Sequence, residues 1–225
     1  MAPDTSRPAS LALSPHALLL ARRLVALNLH PEVDLHPSWL PADWPARHRR
    51  FGVAGRIALC EVLGARGVPP PVWTFDEPLH RLALFDGPSL RRLAVYCGLA
   101  VHRTALRQRG LGRSLDRQAR RYDRDAVPFV LDRLPHLDQF AMNLHDLEAR
   151  PAGAGHLVVE RGHRLLLATL AGAGDAVSGH VRRKLPRRLS LRPLPALRPA
   201  QQAQLTELML LCIVPERMPQ WDWLF

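Results

Sequence analysis

Apolar residues recur along this chain at intervals of three and four, and clusters of Pro and Gly cut the recurrence into segments. Ser14-Pro15 has the form of a helix start, a hydroxyl N-cap followed by Pro in the first turn. The run 16–30 then sets Leu19, Leu20, Val25 and Leu27 apart from Arg22 and Arg23. Because two arginines interrupt it, the run reads as an amphipathic helix and not as the apolar stretch of a secretory signal. Residues 31–46 hold four prolines with Trp39 and Trp44 and predict a loop. A helix over 53–64 ends before the stiff Pro69-Pro70-Pro71, so a sub-boundary is placed near 68–74. Asp76 is expected to cap a short helix carrying Leu79, Leu82, Ala83 and Phe85, which stops at Asp86-Gly87.

The segment 89–108 is apolar nearly all round in its middle and predicts the central buried helix, broken by Gly110 to Gly112. Next, Leu111, Leu115, Ala119, Tyr122 and Ala126 share one side while Arg113, Arg117, Arg120 and Arg124 share the other, and Pro128 ends or kinks the helix. Further helices are expected over 137–147, 156–171, 175–185 and 200–213, with an Arg/Pro/Leu connector at 186–199. Only 156–160 could alternate as a strand. The predicted fold class is all-α: one compact, irregular domain of about eight or nine helices over 14–225, preceded by a flexible arm at 1–13.

Composition sharpens this picture. The 225 residues are 47% hydrophobic and 23% charged, a globular balance. Cys60, Cys97 and Cys212 are too far apart for a disulfide framework or a zinc ribbon, which points to a reducing cytoplasm. The longest apolar stretches, 165–174 and 208–215, fall well short of the roughly 20 residues that span a bilayer. The net charge is +11, and Lys184 is the only lysine. Ten basic and two acidic residues lie in 91–124, and the same numbers in 150–198, so the charge sits in two blocks. Blocks of this kind steer acidic proteins, anionic membranes or nucleic acid.

No catalytic motif emerges. Gly52 and Gly55 lack the spacing and the Lys-Ser/Thr of a P-loop, and Gly172, Gly174 and Gly179 fail the dinucleotide spacing. Ser178 stands between Ala176 and His180 where a nucleophile elbow needs glycines. His156 and His163 could share a helix face, but no third metal ligand accompanies them. Asp123, Asp125 and Asp132 stand among Arg120, Arg121, Arg124 and Arg133 and predict ion pairs on a helix surface. Cys97 reads as a core thiol. The expectation is a protein that is not an enzyme, with no catalytic, cofactor or metal site.

Three stretches carry a resemblance. The sequence LRRLAVYCGLAVHRTALRQ (90–108), with Gly98, Leu99 and His102, resembles the central motif of the K component of bacterial type III secretion systems, the SctK/YscK family. ERGHRLLLATLAGAGDAVSGHVRRKLP (160–186) resembles that family's second block, and Leu224-Phe225 its ending. The resemblance implies a non-enzymatic cytoplasmic adaptor of the sorting platform, peripheral to the inner membrane. Such an adaptor links the cytosolic domain of the inner-membrane ring protein to the pod protein, and through the pods to the stator and ATPase. A basic helical nucleic-acid-binding protein is the alternative that the charge suggests; the absence of interleaved aromatics argues against it. The candidate partner-binding residues are the segment Arg182, Arg183, Lys184, Arg187 and Arg188, the stripe Arg113, Arg117, Arg120 and Arg124, and the tail residues Trp221, Trp223 and Phe225. The basic segment has no acid between Asp175 and Glu207 to neutralise it, so it is expected to dock on an acidic surface. For the tail, folding back onto the core is the leading expectation and a partner hot spot the alternative.

Overall fold

The computed structural model describes residues 14–30, 32–41, 44, 52–64, 69–140 and 144–225. The expected arm at 1–13 and part of the loop at 31–46 lie outside them. Among the described residues every regular element is helical, so the chain is all-α.

Helix α1 (Pro15–Leu29) starts as its sequence dictates: the Ser14 hydroxyl accepts the Ala17 N–H at 3.1 Å and Pro15 occupies the first turn. Helix α2 (Gly52–Gly64) comes after the loop. Residues 69–75 run extended past α1, where the Asn28 side chain holds Val72 in both directions: its amide donates to the Val72 carbonyl and its carbonyl accepts the Val72 N–H, each at 2.7 Å. The predicted short helix is a 3₁₀ segment, Pro78–Leu84, whose cap is Glu77 instead of Asp76. Asp86 caps the next helix, accepting the Ser89 N–H at 2.7 Å.

That helix, α3 (Gly87–Val101), is the buried axis of the molecule, with twelve of its fifteen residues buried. The predicted single helix over 89–108 is interrupted at His102, whose N–H is shared between the Gly98 and Leu99 carbonyls, and resumes as the short α4 (Arg103–Leu106). The expected break at Gly110 to Gly112 is absent: both glycines lie inside α5 (Arg109–Ala119). Gly112 serves close approach instead, since a Cβ there would collide with the Leu106 carbonyl at the end of α4. Helix α6 (Ala126–Asp132) carries Pro128 in its first turn, where a missing N–H costs nothing. In place of the predicted helix over 137–147, the described residues show a non-helical segment and then the five-residue α7 (His145–Ala149).

Helix α8 (Ala154–Thr169) absorbs the possible strand at 156–160 and packs along α3. The crossing is glycine against glycine: a Cβ on Gly98 would lie 3.2 Å from the Gly162 Cα and collide with the Val158 carbonyl, and one on Gly162 would collide with the Ala94 carbonyl. Only residues without a Cβ let the two backbones meet this closely. Helix α9 (Gly174–Lys184) opens on Gly174 at φ 80°, a left-handed conformation that favours glycine. After α10 (Arg187–Ser190), helix α11 (Pro199–Glu207) runs without interruption through a π turn at Leu208–Ile213 into α12 (Val214–Arg217). The π turn has a cause in sequence. Pro215 offers no N–H to the Leu211 carbonyl and its ring crowds that position, so the preceding turn widens and Val214 N–H reaches Met209. The tail closes as a 3₁₀ segment, Pro219–Leu224.

Candidate interaction surfaces

The basic segment 182–188 is divided between interior and surface. Lys184 is 6% exposed and Arg183 8% exposed, Arg182 is half-buried, and Arg187 and Arg188 are exposed. The Lys184 ammonium donates to the carbonyls of Ala83 (2.8 Å) and Phe85 (2.7 Å), which leave the end of the 3₁₀ segment 78–84, and pairs with Asp34 at 3.3 Å. Burial pushes its pKa down and Asp34 pushes back. The expectation that this segment faces an acidic partner therefore fails for Lys184 and Arg183. The neutralisation of Lys184 is not local in sequence: Asp34 lies 150 positions away, and peptide carbonyls supply the rest. Arg187 is engaged as well, its guanidinium 5.7 Å from the centre of the Trp39 ring while its backbone N–H donates to the Ser38 hydroxyl at 2.8 Å. Trp39 in turn donates its indole N–H to the Leu185 carbonyl at 2.9 Å.

Of the tail residues, Trp221 is core. Its ring stacks on Phe85 at 4.7 Å, its indole N–H donates to the Ser89 hydroxyl at 2.9 Å, and the Arg23 guanidinium sits 4.5 Å over its face. Leu224 is buried too, and its carbonyl accepts from Arg81 at 2.6 Å. Trp223 is half-buried and stacks on His16, and Phe225 is exposed, so of the three tail candidates these two alone reach solvent.

Asp123 departs from expectation. Instead of pairing on the surface with Arg120, Arg121 or Arg124, its carboxylate points inward and gathers Arg92, Tyr96 and Arg217. Tyr96 donates to it at 2.5 Å and Arg217 at 2.7 and 2.8 Å, while the Arg217 Nε also donates to the Tyr96 oxygen at 2.8 Å. Burial alone would raise the Asp123 pKa. The hydrogen bonds from Arg217, Tyr96, the Asp125 N–H and Arg92 outweigh it and hold the carboxyl well below the usual range. This node ties α12 to α3 and is a structural device.

The buried histidines belong to the interior of the fold. His102 is fully buried beside the Arg161 guanidinium, which donates in turn to Asp146, and burial together with that charge lowers its pKa to about 4. His163 and His180 are also brought to about 4, chiefly by burial. Burial pushes the Cys97 thiol up to about 12, which leaves it unreactive. Among the described residues no group of three His, Cys, Asp or Glu is arranged to hold a metal ion, and no helix is long and apolar enough to cross a membrane.

Two unpartnered surfaces remain among the described residues. One is apolar and centres on α1, whose Leu18, Leu19, Leu20, Val25 and Leu29 are exposed around the helix, with exposed Trp73 beside it; Val53 and Ile57 on α2, Val33 and Phe225 are exposed as well. Here α1, Trp73 and Trp223 flank a groove of 470 Å³ whose floor includes Leu24, Phe75 and Leu224. An amphipathic α1 does not by itself imply this face. Its signal is nonetheless in the sequence, since the run 17–20 is apolar without interruption and covers more of the helix circumference than one packed side can bury. The second face is cationic. Arg113, Arg117, Arg120 and Arg124, with Arg107, Arg109 and Arg121, are all exposed along α5 and its flanks. Arg120 pairs with Asp116 at 2.8 Å, and the other six have no paired acid among the described residues. The faces belong to different elements: α1 packs on the segment 78–84, α5 on α8.

Set against known protein families, curated proteins and solved structures, the chain matches none of them.

Proposed function

We propose that this chain is a non-enzymatic cytoplasmic adaptor of the bacterial type III secretion sorting platform. It links the cytosolic domain of the inner-membrane ring protein to the pod protein, and so indirectly to the stator and ATPase. The resemblance of 90–108, 160–186 and the terminal Leu-Phe suggests this identity. The observation that carries the bridging role is the pair of exposed surfaces among the described residues, one apolar around α1 and Trp73 and one cationic along α5. A bridge needs two docking surfaces, and surfaces of different chemistry discriminate between two partners. The stretches that carry the resemblance support the reading from within. In the fold α3 crosses α8 at Gly98 and Gly162, and Leu224 of the terminal pair is buried with its carbonyl held by Arg81, so these stretches belong to the packed scaffold.

The test is co-purification of the chain with the pod protein and with the ring protein's cytosolic domain, together with an in-frame deletion. The deletion abolishes export while the membrane rings persist. A deletion strain that exports normally overturns the proposal. The arginines of α5 also favour a second reading, a basic nucleic-acid-binding protein, which makes tight, salt-sensitive binding of random duplex DNA its own signature.

A further inference from the structure

We propose that the arginine face of α5 docks an acidic α-helix whose carboxylates repeat every four residues. Arg109, Arg113 and Arg117 stand four apart on α5, so their Cα atoms rise by about 6 Å per step. Exposed Arg120, Arg121 and Arg124 continue the charge beyond the end of the helix. Folding does not call for this arrangement, because like charges four apart oppose the helix that carries them. Packing nevertheless locks it outward. Leu111, Leu115 and Ala119 are buried, and α5 lies so close to the start of α8 that a Cβ on Gly155 would be 2.7 Å from the Gln118 Cβ. The Ser114 hydroxyl, which donates to the Ala152 carbonyl and accepts the Gly155 N–H, pins the same contact.

A second observation lies just before the helix. Arg103, Thr104, Arg107 and His136 line a pocket of 340 Å³. Arg103 is fixed there by donating to the carbonyls of Leu131 and Leu134, and Asp138 stands 4.0 Å from His136. A carboxylate side chain from one end of the docked helix fits this cationic recess.

Three features select a helix over other polyanions. No exposed aromatic side chain lies between 103 and 125 to stack a base, Tyr122 being half-buried. No exposed large apolar side chain lies there to insert into a bilayer. Guanidinium groups at one-turn spacing match carboxylates at one-turn spacing, and each pair can be bidentate. The inference rests on the adaptor reading for the existence of a protein partner, and adds its chemistry.

The experiment uses the full chain and two synthetic helical peptides of one composition, with Glu at every fourth position in the first and scattered around the helix in the second. Fluorescence anisotropy at low and high salt measures both, alongside a random DNA duplex and vesicles of phosphatidylcholine with phosphatidylserine. The wild type binds the regular peptide about tenfold tighter than the scattered one at low salt, and the combined Arg109→Glu, Arg113→Glu and Arg117→Glu variant loses that preference. The neutral Arg→Gln triple, with unchanged thermal unfolding, falls between them. Equal affinity for both peptides overturns the proposal, as does tighter binding of the duplex or the vesicles than of the regular peptide. A triple variant that still binds the ring and pod proteins as the wild type does also overturns it, while leaving the adaptor reading standing. Peptide discrimination without binding to either protein overturns the adaptor reading alone.

Discussion

Gly162→Ala places a methyl group where α8 crosses α3. That methyl would collide with the Ala94 carbonyl oxygen and lie 2.9 Å from the Gly98 nitrogen, both backbone atoms of a helix buried on almost every side. A flexible side chain could swing away, but a helix backbone cannot, so α3 and α8 must move apart and the core around Leu90, Leu93, Val158 and Leu166 loosens with them. Overpacking of this kind costs about 1–3 kcal/mol, and more where the backbone itself must shift. Against it stands a gain of about 1 kcal/mol from replacing Gly by Ala inside a helix. The collision wins by an expected ~2 kcal/mol, the upper end of that cost less the helix gain, because two backbone contacts are violated and neither can relax alone. At about 2–4 °C per kcal/mol for a chain of this size, the melting temperature falls by roughly 4–8 °C. Far-UV circular dichroism during heating measures it. Gly110→Ala is the control: it lies in α5 with no atom within 4 Å of the new methyl, so it gains helix propensity by up to about 1 kcal/mol and loses nothing. A Gly162→Ala protein that melts at or above the wild-type temperature refutes the close-crossing argument.

The polar interior and the tail give three more expectations. Asp123→Asn removes the charge that Arg92, Arg217 and Tyr96 converge on and destabilises by about 2–4 kcal/mol, toward the low end of broken buried pairs because both guanidinium groups reach solvent. Its folded pKa lies below the ordinary 3.8, so the wild type holds this stability fully above that value and loses it as pH falls further; the gap to the variant in urea unfolding narrows below about pH 4. His102, His163 and His180 act at a higher pH. Their folded pKa values near 4 lie below the ordinary 6.5, so the unfolded chain binds more protons across that interval and stability drops as pH falls from 6.5 to 4, by up to about 1.4 kcal/mol per pH unit for each. Urea midpoints that do not move between pH 7 and pH 5 contradict this. Truncation after Met218 removes Trp221 from Phe85 and Ser89 and costs about 3–5 kcal/mol, read as a lowered melting temperature; an unchanged one disproves a core role for the tail.

Helix existence is legible in the sequence where period and caps agree, as at Ser14-Pro15, in the apolar 89–101 and at Gly174. Glycine and proline mislead when they are taken as local punctuation. Gly112 lies inside a helix because α4 folds against it, and Pro215 is accommodated by a π turn, both consequences of three-dimensional neighbours. Charge misleads for a related reason. Lys184 has no acid nearby in sequence and Asp123 has arginines on either side, yet in both cases the partners arrive from distant segments. The stripe Arg113, Arg117, Arg120 and Arg124 is legible as exposed charge because its meaning is local, although the helix that carries Arg113 and Arg117 stops at Ala119 and leaves Arg120 and Arg124 in the turn beyond it. The apolar surface of α1 is legible only in part: the run 17–20 is too wide for one packed side to bury, but nothing in it says which residues stay uncovered.

The ties between residues 34–39 and 184–187 also bear on how the chain reaches its native state. Asp34, Ser38 and Trp39 are made early during synthesis, yet Lys184, Arg187 and Leu185, to which they bond, come 146 to 150 positions later. The apolar α3 likewise waits for α8, whose Gly162 is 64 positions beyond Gly98. Contacts that span so much of the chain close slowly, and the apolar surface they cover stays open meanwhile. A nascent chain that stops short of α8 therefore presents the sticky side of α3, and one that stops short of α9 still has an unsealed loop at 34–39, which makes truncated or stalled products natural clients for chaperones and proteases.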